Sequence, residues 1–317
     1  MIISVLLVVA GFVSLIFGAS WLVDGASALA KKYKVSDLVI GLTIVAFGTS
    51  APELVVNSIS SVKGYSDIVL GNIIGSNNFN LFIILGLSGL VLPIKVQTST
   101  AWKEIPISLF ISILILFLLN DFIFAGTTYL SRIEGFIMLV LFSLFLYYVF
   151  NQMKKDPQIV TTLNQMTGIK IWGLIIGGLG GLILGGQLVV VNSVEIANTL
   201  GVSEKIIGLT IVAAGTSLPE LVTSIVAATK KNSDIAIGNV IGSNIFNLLL
   251  ILSISSIINP IPYNPKFNLD LIILIGGTVF LFTSMLTGQR KKLDRWEAGV
   301  LFGFYIIYTT YLVMKEL

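Results

Sequence analysis

Two carboxylates stand inside long apolar stretches of this chain: Glu53 in Gly-Thr-Ser-Ala-Pro-Glu, residues 48–53, and Glu220 in Gly-Thr-Ser-Leu-Pro-Glu, residues 215–220. Burying an ionisable group in hydrocarbon costs several kcal/mol, so an acid at membrane depth marks a functional site by default. A proline precedes each acid. Pro52 has no N–H for the carbonyl of Gly48, its ring clashes with that carbonyl, and it pushes Ala51 away from helical angles. The expectation is a broken helix with free carbonyls over Ala46 to Thr49 and, through Pro219, over Ala213 to Thr216. Irregular backbone is tolerated in a membrane only where protein buries it or it lines a cavity, and unwound carbonyls beside a carboxylate are ligands for a hard cation.

A second polar block follows each acid, Gly-Asn-Ile-Ile-Gly-Ser-Asn-Asn-Phe-Asn at 71–80 and Gly-Asn-Val-Ile-Gly-Ser-Asn-Ile-Phe-Asn at 238–247. Helical spacing puts Asn72, Ser76 and Asn80 on one face, and Asn239, Ser243 and Asn247 on another. Gly71 and Gly75 flank the first face and let a neighbouring backbone approach. Ser76, Asn80, Ser243 and Asn247 read as site residues, with interhelical hydrogen bonding as the alternative. Asn77 and Asn244 lie off the stripe and serve either the backbone freed by the prolines or an ion. Asn72 and Asn239, near span ends, read as structural. Asp67 and Asp234 read as caps at helix starts, where the dipole favours an acid. Asp24 and Glu195 read as solvated. All these donors are oxygens, which suits calcium, magnesium or sodium rather than zinc or copper. Two carboxylates match one Ca²⁺, or several Na⁺ spread over the same oxygens, and a site filled in either way but not both couples the two ions.

The elements that must position these groups are apolar helices. Of 317 residues 55% are hydrophobic and 11% charged, with a mean hydropathy of +0.97, which places the chain among polytopic membrane proteins. The net charge of +3 is scattered over short loops and offers nucleic acid no patch. Cysteine and histidine are absent, which removes disulfides, thiolate or imidazole metal sites, and Cys-His or Ser-His-Asp catalysis, so no enzyme and no cofactor are expected. Ten spans are predicted, at about 2–23, 38–61, 67–92, 105–120, 131–150, 171–194, 206–228, 234–258, 269–287 and 296–314. The first reads as a retained helix rather than a signal peptide. Of 19 Lys and Arg, 14 fall in loops on one side, which the positive-inside rule assigns to the cytoplasm, with both termini outside.

The chain repeats itself at an offset of 167 residues, which carries Glu53 onto Glu220. Residues 35–53 match 202–220 at 14 of 19 positions, and 66–81 match 233–248 at 12 of 16. Five spans per half, an odd number, make the second half enter the membrane inverted. Residues 1–150 form the first half, 171–317 the second, and 151–170 a cytoplasmic linker too short for a folded regulatory domain. Inverted repeats recur in secondary transporters, where the site lies between the repeats near the midplane.

The paired G-T-S-x-P-E and G-N-x-I-G-S-N-x-F-N blocks resemble the two alpha repeats of the cation/calcium exchanger superfamily, most closely its sodium/calcium exchanger branch of prokaryotic type. The resemblance covers all ten spans. It implies a calcium site made by Glu53 and Glu220 with the carbonyls of Thr49 and Thr216. It also implies flanking sodium sites that use the carbonyls of Ala46 and Ala213, the hydroxyls of Thr49, Ser50, Thr216 and Ser217, and Ser76 and Ser243, with Asn80 and Asn247 lining the middle. Potassium-dependent exchangers, and some archaeal exchangers, look to carry Asp where this chain has Asn247, so the site here carries one carboxyl fewer, which speaks against potassium co-transport. The proton/calcium branch looks to carry Gly-Asn at the breaker, which weakens proton coupling.

The expectation is an all-α, ten-span antiporter of the cell membrane that exchanges Na⁺ for Ca²⁺ by alternating access, with these ions and the lipid bilayer as its partners and no protein partner implied. A proton/calcium antiporter is the rival within transport, and a calcium channel the rival of another class. In this cysteine-free chain, Lys154→Cys should react with an impermeant thiol reagent only from the cytoplasmic side; labelling from outside intact cells overturns the orientation.

Overall fold

A computed structural model describes residues 2–120, 129–153, 166–200, 213–287 and 291–316. Long apolar runs form helices because intrahelical hydrogen bonds satisfy every backbone polar group without water. In chain order these are α1 (Ile2–Tyr33), α2 (Asp37–Thr49), α3 (Ala51–Val62), α4 (Ser66–Val91), α5 (Thr100–Leu119), α6 (Arg132–Met153), α7 (Gly168–Thr199), α8 (Leu218–Thr229), α9 (Ser233–Ile258), α10 (Pro265–Ser284) and α11 (Arg295–Glu316). The protein is an all-helical membrane protein: among the described residues seven helices are long and apolar enough to cross a bilayer, or eight if the bent pair α2 and α3 is one span. The span expected over 206–228 falls partly on 201–212, outside the described residues, as does most of the linker expected over 151–170.

Burial sorts the helices into a centre and a periphery. Within the most apolar 18 residues, 94% are buried in α9 and 72% in α4, against 28% in α1 and 33% in α6 and α7. Large apolar side chains such as Phe12 and Phe17 of α1 and Phe136 of α6 point outward, as a lipid-facing surface requires.

The two central helices cross in antiparallel fashion. Asp67 at the start of α4 pairs with Lys266 in the first turn of α10, which follows α9 (2.9 Å), and Asp234 at the start of α9 accepts from Gln97 in the segment that follows α4 (2.6 Å). Asp67 and Asp234 lie in first turns but are not the caps: the N-cap residues are Tyr65 and Asn232, and each acid instead binds the segment that follows the other central helix. Most neighbouring packing is reciprocal. The far end of α4 packs on α8 and α11, while the far end of α9 packs on α3 and α6. Two short antiparallel ladders repeat the pattern: β1 (Ile94–Lys95) pairs with β4 (Lys292–Leu293), and β2 (Tyr129–Leu130) with β3 (Ile261–Pro262). Gly64 and Lys231, 167 residues apart, take positive φ of 75° and 60° and close α3 and α8 alike. Their following residues return hydrogen bonds to the helix, Tyr65 N to Ser60 O and Asn232 N to Ala227 O.

At the periphery α1 and α7 form the most extensive helix pair. Glycine makes the approach possible. A Cβ at Gly18 would lie 2.8 Å from the carbonyl oxygen of Gly178 and 2.8 Å from Leu182 N, so the two backbones touch where water-free packing has only dispersion to drive it. Gly18→Val should lower the melting temperature of the purified protein, with an overpacking penalty of about 1–3 kcal/mol. Gly173→Ala, whose Cβ meets nothing within 4 Å, is the control; equal melting of the two variants contradicts the packing.

Candidate functional site

The two breaks are sharper than the sequence leads one to expect. α2 and α3 are separated by Ser50 alone (φ −83°, ψ 5°) and meet at 47°. In the second half two residues, Thr216 and Ser217 (φ −91°, ψ 6° at Ser217), separate the helical turn Ala213–Gly215 from α8. Pro52 and Pro219 sit in the first turn of the new helix, where a missing N–H removes no bond. One expectation is therefore corrected. The Ala46 carbonyl is not free: it accepts from Ser50 N at 3.0 Å and lies 3.3 Å from Thr49 Oγ1, because the ladder survives up to the single residue that bends. Ala213 opens the short helical turn Ala213–Gly215 in the second half.

Starting a helix at each break puts Glu53 and Glu220 in first turns, where the dipole favours a carboxylate. Both acids are 1% exposed. Each is held by the opposite half. Ser50 Oγ donates to Glu220 Oε1 at 2.9 Å, and Ser217 Oγ donates to Glu53 Oε1 at 3.2 Å. Ser243 Oγ lies 3.0 Å from Ser50 Oγ. Neither acid has a Lys or Arg partner among the described ion pairs. The second carboxylate oxygens, Glu53 Oε2 and Glu220 Oε2, have no hydrogen-bond partner, and neither do the buried Ser76 Oγ, Asn80 Oδ1 and Asn247 Oδ1. Among the described residues no group of three or more His, Cys, Asp or Glu side chains assembles, so two carboxylates supply the formal charge and neutral oxygens surround them.

The asparagines explain which atoms remain free. Asn80 Nδ2 donates to Asn244 Oδ1 (3.0 Å), Asn247 Nδ2 donates to Asn77 Oδ1 (3.1 Å), and Asn77 and Asn244 each reach the other's backbone carbonyl (3.5 and 3.4 Å). Asn77 and Asn244 thus serve the α4–α9 crossing and not the proline breaks, since the breaks leave less backbone to satisfy than expected. With their NH₂ groups committed, Asn80 and Asn247 keep their side-chain oxygens unpartnered. Both belong to π-helical turns, Phe79–Ile84 and Phe246–Ile251, which alter the facing of these side chains relative to a plain α-helix. Asn239 and Asn72, read as structural, accept from Thr49 Oγ1 (3.0 Å) and Thr216 Oγ1 (3.3 Å) of the opposite half. Asp24 and Glu195 are both exposed, as expected of solvated acids, and Asp24 also pairs at the surface with Lys230 at 2.7 Å.

Sequence reasoning missed Asn57 and Ser224, buried repeat mates that support the acid-bearing helices. Asn57 Nδ2 donates to Glu53 O (2.7 Å), and Ser224 Oγ accepts from Asn239 Nδ2 (3.0 Å). Their signal was available: two polar residues 167 apart inside apolar spans. The surroundings are not symmetric. α8 packs along α1, yet between the repeat-equivalent pair α3 and α7 lies a cavity of about 500 Å³ lined by Pro52, Val55, Val56, Ile183, Gln187 and Val190, which reaches Thr216.

These features define a polytopic membrane protein whose centre holds two acids, each hydrogen-bonded from the other half of the chain. A family profile described as sodium/calcium exchanger protein matches residues 3–151 and 170–314. The chain belongs to the sodium/calcium exchanger family. It is 32% identical over 324 residues to the inner membrane protein YrbG of Escherichia coli, covering 98% of this chain and 97% of that one. It is 31% identical over 359 residues to the sodium/calcium exchanger MaX1 of Methanosarcina acetivorans, covering 98% of each. A solved structure of the sodium-calcium exchanger NCX_Mj matches with a TM-score of 0.85 at 32% identity, over 98% of this chain and 99% of that one.

The crossed serine bonds make a measurable claim. In a double-mutant cycle of Ser50→Ala and Glu220→Gln, read by thermal stability, a coupling of about 0.5–3 kcal/mol is expected, as for residues in direct contact. Additive effects contradict the contact.

Proposed function

We propose that this protein is a secondary antiporter that exchanges Na⁺ for Ca²⁺ across the cell membrane by alternating access. The observation that carries the reading is the pair of buried carboxylates, Glu53 and Glu220, with no cationic side chain paired to either among the described residues and with one oxygen of each left free among neutral oxygens. A desolvated carboxylate needs a counter-charge, and two of them facing oxygen-only donors fit one calcium ion. In this reading Glu53 and Glu220 bind Ca²⁺ with the carbonyls of Thr49 and Thr216. Sodium takes flanking positions on the hydroxyls of Thr49, Ser50, Thr216, Ser217, Ser76 and Ser243 and on the carbonyls of Ala46 and Ala213. A carbonyl has two lone pairs, so the Ala46 oxygen can ligate while accepting a hydrogen bond. Asn80 and Asn247 line the middle through their free oxygens. The relatives named as sodium/calcium exchangers support Na⁺ as the coupling ion.

The architecture proposed with this function is ten spans in two inverted five-helix halves, 1–150 and 171–317, joined by a cytoplasmic linker at 151–170, with both termini outside. The antiparallel α4–α9 crossing, the reciprocal packing and the paired ladders support it. Alternating access is supported by the unequal flanks of the site. The contact of α8 with α1, reinforced by Lys230 on Asp24 and Ser20, closes one side, while a cavity separates α3 from α7 on the other. Exchanging these two arrangements would expose the same ion site to opposite faces.

With one acid neutralised, Ca²⁺ keeps a net positive charge at low dielectric. A loss of about 4 kcal/mol weakens binding roughly a thousandfold. Glu53→Gln and Glu220→Gln should each abolish calcium uptake by proteoliposomes under an opposed sodium gradient while the protein still inserts; near-normal coupled exchange in either variant refutes the assignment. In the same assay Asn247→Asp adds a charge and should make transport sensitive to potassium or pH. Unchanged ion dependence removes Asn247 as the basis of the proposed potassium independence.

A further inference from the structure

A third buried acid lies away from the centre. Glu104 is fully buried and closes a π-helical turn, Thr100–Glu104, that opens α5. Its Oε1 accepts from Tyr148 Oη (2.5 Å) and Gln152 Nε2 (2.9 Å) of α6, and its Oε2 has no hydrogen-bond partner. The turn is not a product of the repeat. The corresponding start of α10 is a 3₁₀ turn, Pro265–Phe267, and the acid of that helix, Asp270, accepts from Tyr308 through Oδ1.

Beside Glu104 is a cavity of about 420 Å³ whose polar lining is Ser36, Gln97, Thr98, Ser99, Glu104 and Gln152. Thr98 is exposed, so the cavity rim meets the aqueous face. We propose that this cavity is a second cation site, for one Na⁺, with Glu104 as its anionic ligand and the side-chain oxygens of Gln97, Ser99 and Gln152 as neutral ones, Thr98 at the rim being held by Lys291 Nζ (2.8 Å). The charge argument favours a monovalent ion. Glu104 is the one carboxylate in the lining; Asp234 lies behind Gln97, accepting from its Nε2 (2.6 Å), while Lys291 sits on Thr98 Oγ1 (2.8 Å) and Lys103 Nζ lies 6.0 Å from the Tyr148 ring, so a divalent ion would leave an uncompensated excess. Sodium is a hard cation and takes oxygen donors of this kind. An occupied site would tie α5 to α6 in a cavity also walled by the start of α2, the helix whose far end carries Thr49 and leads into Ser50.

The site is separate from the transport centre, and its test is a binding measurement that leaves the transport reading untouched. The purified full chain carrying Glu53→Gln and Glu220→Gln is melted in NaCl, KCl, CaCl₂ and choline chloride at constant ionic strength. A ligand that binds the folded state raises the apparent Tm with its concentration. Na⁺ is expected to raise it by a few degrees over choline, and adding Glu104→Gln is expected to remove most of that shift. Sodium stabilisation unchanged by Glu104→Gln overturns the proposal, leaving Glu104 as a protonated structural acid. A larger Glu104-dependent shift from Ca²⁺ than from Na⁺ overturns the monovalent assignment. Should the Glu104→Gln protein not fold, Gln152→Leu, which deletes one ligand, should raise the midpoint sodium concentration roughly threefold or more; an unchanged midpoint again overturns the site.

Discussion

Each half of this protein supplies the hydroxyl that holds the other half's carboxylate. Ser50 on Glu220 and Ser217 on Glu53 are contacts between residues more than 160 positions apart, and both acids are buried with no cationic side chain paired to them among the described residues. Leaving a buried acceptor unsatisfied costs about 1–3 kcal/mol, more for a charged one. The two helix breaks must therefore lie side by side, and that proximity constrains everything around them. α4 and α9 cross next to the breaks, and the helices that bear the acids pack on both.

The crossing is itself a polar device set in an apolar core. Asn77 and Asn244 bond each other's backbone across α4 and α9, Asn80 and Asn247 each donate to one of that pair, and the amide groups so used leave the side-chain oxygens of Asn80 and Asn247 free. One set of residues thus fixes the register of two helices and decides which atoms line the centre. In a membrane such bonds contribute about 0.6 kcal/mol each on average. Geometry matters more here than their strength: an amide that donates to its neighbour presents its oxygen elsewhere.

Outside this core the packing is of another kind. α1 and α7 meet backbone to backbone at glycines, without side-chain interlocking at the closest point, and their outer faces are apolar. Their inner faces treat the two halves differently, since α1 lies against α8 while a cavity intervenes between α7 and α3. The proposed exchange of access between the two faces would trade these two conditions while the α4–α9 crossing stays in place.

Much of this was legible in the chain. An acid alone in an apolar span, a proline one residue before it, and the same pattern 167 residues later point to membrane helices, to a duplicated centre and to Glu53 and Glu220, because burial of charge is costly enough to leave a mark in any membrane sequence. The helix breaks were legible too, since proline's effect is local. What the sequence could not decide is where each freed or polar group finds its partner. Ser50 and Ser217 reach across to the opposite half, Asn77 and Asn244 bond each other, and the Ala46 carbonyl remains in use. These are contacts between segments distant in sequence, or consequences of a bend confined to one residue. The π-helical turns at Asn80 and Asn247 are of the same sort: local periodicity reads as an α-helix, and only the packing of the neighbouring helices selects the wider turn.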